Sequence, residues 1–275
     1  MRRDISRRQL LGGGSLGALG ALAGCLATGG GATETVTKTY ETTDLSSLAL
    51  EVTNGWITVD GNQGDAIEVR AHKTAPTEDA LESVTLESSR SDGTLRLETN
   101  DDTLPFLFSS NPKIDLEVTV PAGIRLARAK TTNGDVEIRN TTGELVVGTT
   151  NGQIDVEGVD GGLNAETTNG DINTAEVSGD VDADTTNGDI DVSLADGDGD
   201  LTAGSTNGEI AVRASAPLDA TVSVSTTNGD VSVDGFGDSN ASSGGSLEMT
   251  LGDGTRRIRI ETTNGDVTFR NTDAS

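Results

Sequence analysis

The sequence predicts an all-β fold: an elongated parallel β-solenoid of two-strand coils about 18 residues long, with a less regular N-terminal β part and a C-terminal hairpin. Three observations predict it. The first is the recurrence of Thr-Asn-Gly, with asparagines at Asn54, Asn133, Asn151, Asn169, Asn187, Asn207, Asn228 and Asn264. From Asn133 the gaps are 18, 18, 18, 20, 21 and 36 residues. The second is alternation around each asparagine. Apolar residues fall three and five positions after it, as in Val136 and Ile138 or Ile190 and Val192, and six and four positions before it, as in Leu145 and Val147. A period of two makes each flank a strand with one buried face. The third is that each unit halves: Asn-Gly-Asp-Val-Glu-Ile from Asn133 is answered by Thr-Gly-Glu-Leu-Val-Val from Thr142. Two strands and two corners per unit describe a flattened coil, whose neighbours pair in parallel about 4.8 Å apart. An antiparallel meander is the competing arrangement, since Asn-Gly is also a strong hairpin signal. Equal unit length and a repeated residue class at each offset favour the solenoid.

The elements follow in chain order. Residues 1–25 read as an export signal. Arg7 and Arg8 in Ser6-Arg7-Arg8-Gln9-Leu10-Leu11 resemble the twin-arginine motif, and the apolar run Leu11–Ala23 is short for a membrane span. Leu22-Ala23-Gly24-Cys25 resembles a lipoprotein box, which makes Cys25, the only cysteine, the expected lipid attachment point. A plain signal peptide cleaved nearby is the alternative. Residues 26–37 read as a flexible Thr/Gly/Ala-rich tether. Residues 38–130 form the irregular β opening of the solenoid, or else a separate small β domain. Residues 131–275 are the regular repeat. Within it, Asp238–Ser246 reads as a Gly/Ser-rich loop, and Leu247–Leu251 with Arg257–Glu261 as a hairpin across Gly252-Asp253-Gly254.

The corners predict a structural ladder of Asn133 and Gly134, Asn151 and Gly152, Asn169 and Gly170, Asn187 and Gly188, Asn207 and Gly208, and Asn228 and Gly229. Glycine takes positive φ freely, and asparagine tolerates the left-handed region. Thr131, Thr149, Thr167, Thr185, Ser205, Thr226 and Thr262 lie on the inward phase, where they can pass hydrogen bonds between coils. A ligand strip along the Asn-Gly edge is the functional alternative to a plain corner ladder.

Net charge is −26, with four lysines among nineteen basic residues. Such a surface repels nucleic acid. Acids stack two residues after the asparagines, at Asp135, Asp171, Asp189, Glu209, Asp230 and Asp266. Molar salt would screen their repulsion. An acidic, lysine-poor, twin-arginine-exported chain resembles proteins of salt-loving archaea.

The repeats Thr-Thr-Asn-Gly-Asp-Val, the strand Ile114–Val120 and the following Pro121-Ala122-Gly123 resemble the toastrack-type β-repeat family of adhesin-like proteins. The resemblance covers roughly residues 40–272. It implies a cell-envelope assembly platform and carries over no catalytic residue.

Chemical motifs are sparse. His72 is the only histidine, so a Ser-His-Asp triad could use no other. Zinc lacks ligands. Calcium is the alternative cofactor, but the double-glycine corners of calcium solenoids are mostly missing. Asp196-Gly197-Asp198-Gly199-Asp200 is its best candidate site, or simply an enlarged acidic turn. Asn140 and Asn240 lie in glycosylation sequons. The expectation is a non-enzymatic, lipid-anchored scaffold on the extracellular face of the membrane, with no cofactor. Its partners would be the membrane and an envelope protein or glycan. An extracellular carbohydrate-active enzyme on a β-helix is the rival.

Overall fold

Each repeat folds as one coil, and the coils stack in register. The computed structural model describes residues 24–25, 31–101, 112–236 and 241–272. One face holds the strands after the asparagines: Ile57–Asp60, Val136–Thr142, Ile154–Asp160, Ile172–Val177, Ile190–Ser193 and Ile210–Ala214, all parallel. The other holds the strands before them: Ser47–Asn54, Arg125–Asn133, Leu145–Gly148, Leu163–Asn169, Val181–Asn187 and Leu201–Asn207. Val136, Ile154, Ile172, Ile190 and Ile210 form one buried column, each opposite the next. Inward side chains of both faces make a single apolar core. The parallel solenoid therefore holds, and the meander does not.

The stacking order departs from the chain order at the C-terminal end. Arg256–Asn264 lies between Leu201–Asn207 and Ala220–Asp234, parallel to both. Val267–Asn271 is likewise wedged between Ile210–Ala214 and the second half of Ala220–Asp234. The coil of Asn228 is thus last in space, and the coil of Asn264 sits inside it. The expected partner of Leu247–Leu251 changes accordingly. Ala241–Leu251 forms an antiparallel hairpin with Ala220–Asp234, and Arg257–Glu261 belongs to the parallel stack. Much of the expected 238–246 loop is therefore strand. The physical reason is that every coil edge offers the same register. Ile258 and Ile260 fit beside Leu201 and Ala203 as well as they would anywhere.

The N-terminal end is closed by antiparallel strands. Thr94–Asp101 and Lys113–Thr119 extend the two faces beyond Ser47–Asn54 and Ile57–Asp60. Ile67–Ala75 then pairs antiparallel with Lys113–Thr119, and Ala32–Tyr40 with Ile67–Ala75. Residues 32–37 are thus strand rather than flexible tether. Val84–Ser91 folds back on Thr94–Asp101. A helix, Glu78–Ser83, starts at Thr77, whose hydroxyl accepts from the Ala80 N–H at 3.2 Å. Its Thr-Glu-Asp start is an ordinary capping signal inside a stretch read only as irregular β structure.

Candidate functional site

The Asn-Gly corner becomes a continuous edge. The Asn133 amide donates to Asn54 Oδ1 at 2.8 Å, and the same bond repeats from Asn151, Asn169, Asn187 and Asn207 to the coil before. Asn264 then donates to Asn207, and Asn228 to Asn264. None of these asparagines has positive φ. They are selected for the ladder, and the expectation that they exploit the left-handed region is wrong. The glycines are needed chiefly for close approach. A Cβ on Gly170 would stand 1.8 Å from the Gly152 carbonyl oxygen, and one on Gly208 1.8 Å from that of Gly188. The inward hydroxyls fasten the same carbonyls: Thr149 donates to Gly134 O, Thr185 to Gly170 O and Thr262 to Gly208 O.

The stacked acids do more than repel. Asp135 Oδ1 accepts from Gln153 N at 2.9 Å, Asp171 from Asp189 N, Asp189 from Glu209 N and Asp266 from Asp230 N. Each carboxylate thus caps a backbone donor of a neighbouring coil.

Immediately before each asparagine is a second, outward threonine: Thr53, Thr132, Thr150, Thr168, Thr186, Thr206, Thr263 and Thr227, in stacking order. All eight are exposed. The Thr99 hydroxyl accepts from Thr53 N, and ladder amides donate to the carbonyls of Thr150, Thr168, Thr186, Thr206 and Thr263, but among the described residues the column's own hydroxyls make no hydrogen bond. Inward threonines drew attention in the sequence because they break an apolar phase. The outward ones, on a polar phase, gave no such signal.

At the N-terminal end this edge deepens into a groove of about 740 Å³ between the first coils and the hairpin Val84–Ser91/Thr94–Asp101. Its floor carries Lys130, half-buried, with its stem laid over Gly148. A Cβ on Gly148 would lie 3.4 Å from Lys130 Cε. Lys38 donates to the Leu86 carbonyl, Lys73 pairs with Glu34 and Lys113 with Asp115. Lys130 is the one lysine without a hydrogen bond or ion pair among the described residues. Glu51, Glu87, Glu98 and Glu166 surround it at the walls, with Asn100 and Arg128.

Two coils further on, Asp184 leans over Gly204, whose Cβ would lie 2.3 Å from its Oδ1. Although the residue is exposed as a whole, its carboxyl is pushed up to about 6, first by desolvation, then by Asp182 and Glu166. Beside Asp196–Asp200 lies a buried cation. Arg256, only 2 % exposed, donates to the Ala195 carbonyl at 3.2 Å and feels the charges of Asp200, Asp198 and Asp180. Burial pulls its guanidinium down while these carboxylates pull it up. Among the described residues no three acidic, histidine or cysteine side chains converge as metal ligands.

The remaining predicted residues scatter. His72 sits mid-strand, bonded to Thr35 at 3.0 Å, 3.6 Å from Glu117 and beside the Trp56 ring. Asn140 is exposed and has φ 54°, with its amide 3.5 Å from Asp60. Cys25 pairs by its backbone with Glu34. Arg7, Arg8 and Asn240 lie outside the described residues.

The Toastrack DUF4097 family model matches residues 124–270, just over half of the chain. This protein belongs to the Toastrack family. The match takes in the regular coils, the inserted C-terminal coil and the groove residues Arg128, Lys130 and Gly148. Among solved structures, similarity extends to a provisionally assigned adhesin from Bacteroides fragilis, 15% identical, covering 86% of this chain and 96% of that one, with a TM-score of 0.42. A provisionally assigned cell adhesion protein from Clostridium sporogenes is 12% identical over 87% and 100% of the two chains, with a TM-score of 0.37. A provisionally assigned lipid-binding protein from Parabacteroides distasonis is 9% identical over 87% and 97%, with a TM-score of 0.25. No curated protein matches the chain.

Proposed function

We propose that this Toastrack chain is a non-enzymatic, adhesin-like scaffold on the cell surface, anchored by a lipid on Cys25 after twin-arginine export through Arg7 and Arg8. One observation carries the binding half of this reading: an open polar groove with an unpaired lysine at its floor runs into a rigid edge of arrayed hydroxyls. Recognition surfaces of this kind need a stiff scaffold, and each coil is held by main-chain pairing, an Asn bond and a Thr bond. The anchor half rests on the box at Leu22–Cys25 and on its position. Gly24–Cys25 pairs with the outer edge of Ala32–Tyr40, at one end of the stack, so a lipid there would stand the solenoid away from the membrane. The partner is an envelope protein or glycan, and the net charge of −26 disfavours nucleic acid. The reading includes no cofactor, and it is supported by the cations beside the acidic turn: Arg257 pairs with Asp200 at 3.1 Å and Arg256 lies nearby.

One observation favours the rival enzyme. Asp184, its carboxyl raised to about 6 beside Asp182, has the character of a glycosidase's general acid. It lies on an open face, and carboxylates recur there coil after coil, which favours the scaffold.

Cell fractionation tests the proposal. Cys25→Ser should move the protein from the membrane fraction to the medium without changing its unfolding midpoint. Affinity capture from intact envelopes in native salt should return a stable partner. Retention of Cys25→Ser in washed membranes would refute the anchor.

A further inference from the structure

We propose that the groove around Lys130 is a binding site for an extended, neutral polysaccharide, and that the outward threonine column continues the site along the stack; this rests on the surface-binding reading above. The lining selects the ligand class by exclusion and by fit. An apolar ligand finds almost no partner, because Val52 is the sole aliphatic side chain among polar ones. A polyanion would meet four glutamates against Arg128, Lys130 and Arg96, which pairs with Glu51 and Glu98. A peptide adding as a strand needs a free sheet edge. Arg125–Asn133, Leu145–Gly148 and Leu163–Asn169 are each paired on both sides, and Val84–Ser91, paired on one side only, gives the groove just Glu87.

Sugar hydroxyls both donate and accept, so they suit a mixed lining. Glu98 and Glu166 accept, Lys130 donates, and the threonine hydroxyls do either. Lys130 is the specific anchor. It has no internal partner to give up, and its stem lies flat because Gly148 occupies the place that Glu166 and Asp184 take in the next coils. An ammonium held over the floor with its donors unspent is set to bind a ligand oxygen.

The column fixes the ligand's shape. Thr132, Thr150 and Thr168 continue from the groove as Thr186, Thr206, Thr263 and Thr227, one hydroxyl per coil, about 4.8 Å apart. An in-register array, one hydroxyl per coil, fits an extended, ribbon-like β-1,4-linked chain better than a coiled α-linked one.

The test is titration of the full chain in molar potassium chloride with cellohexaose, mannohexaose, maltohexaose and hexagalacturonate, and with soluble glucomannan as the polymer. One or both of the β-linked neutral hexaoses should bind, and the coiled and anionic ones should not. Lys130→Ala should weaken hexaose binding about tenfold, the loss of a charge-assisted bond. Thr150→Val, inside the groove, should also weaken it. Thr206→Val, further along the column, should weaken hexaose and glucomannan alike, since an extended hexaose spans about six coils. Unfolding midpoints of the variants establish that each is folded. Absence of binding to both β-linked hexaoses, preference for hexagalacturonate, or indifference to Lys130→Ala in a folded protein overturns the inference. Cys25-dependent surface display and envelope capture that survive Lys130→Ala would leave the scaffold reading standing while this site falls.

Discussion

At the scale of single residues, the core contains polar atoms that the repeat does not need. Thr174 stands where other coils carry Ile138, Val156 and Val192, and its buried hydroxyl has no partner. A stranded hydroxyl costs about 1–3 kcal/mol. Thr174→Val keeps the shape and removes the cost, so its unfolding midpoint should rise. A fall would mean that the hydroxyl is satisfied in solution. Asp184 supplies a pH prediction with a definite sign. Its folded carboxyl titrates at about 6 against an ordinary 3.8. The folded state therefore binds the proton more tightly. Stability is highest below about 4, is lost as pH rises towards 6, and stays lower above it. Asp184→Asn should flatten that interval and raise the midpoint at neutral pH. Thermal unfolding of both proteins between pH 4 and 7 checks this, and parallel curves would show that Asp184 does not carry the titration.

At the scale of the coil, the corner is held by four coupled features: the glycine's missing Cβ, the asparagine amide, the inward hydroxyl and the capping carboxylate. The glycine is the least replaceable. In Gly170→Ala the new methyl would meet a carbonyl at 1.8 Å in a backbone with φ 153°. Neighbouring coils cannot part without breaking strand pairing, so the cost should exceed about 3 kcal/mol. Asn169→Ala loses one ladder bond on each side and should cost less. Denaturant titrations of the two variants should rank them in that order. The reverse order would make the amide ladder, rather than close approach, the main constraint at the corner.

At the scale of the whole molecule, charge and stacking order matter most. The chain carries −26, and its acids recur along the stack, but at the corners Asp135, Asp171, Asp189 and Asp266 also accept a neighbouring N–H. Screening should remove repulsion while leaving these short bonds in place. The unfolding midpoint should therefore climb from low to molar sodium or potassium chloride, whether or not a chelator is present. A midpoint that ignored salt and rose only with millimolar calcium would restore the calcium alternative.

The repeated spacing determined the coil, its buried columns and its parallel pairing, because an identical residue class at each offset is satisfied only when coils superpose. It determined the ladder's members too, although the reason for asparagine lay in side-chain bonding rather than backbone conformation. The binding groove was not legible. Lys130 and Gly148 meet through the coil register, but Glu98 joins them only because Thr94–Asp101 stacks beyond Ser47–Asn54. The order of the last coils was also decided by the tertiary structure alone. A repeat makes all slots equivalent, so local pattern cannot say which one a strand enters. The hairpin Ala220–Asp234/Ala241–Leu251 occupies the end of the stack and returns the chain to its inner side, and Arg256–Asn264 fills the slot that remains.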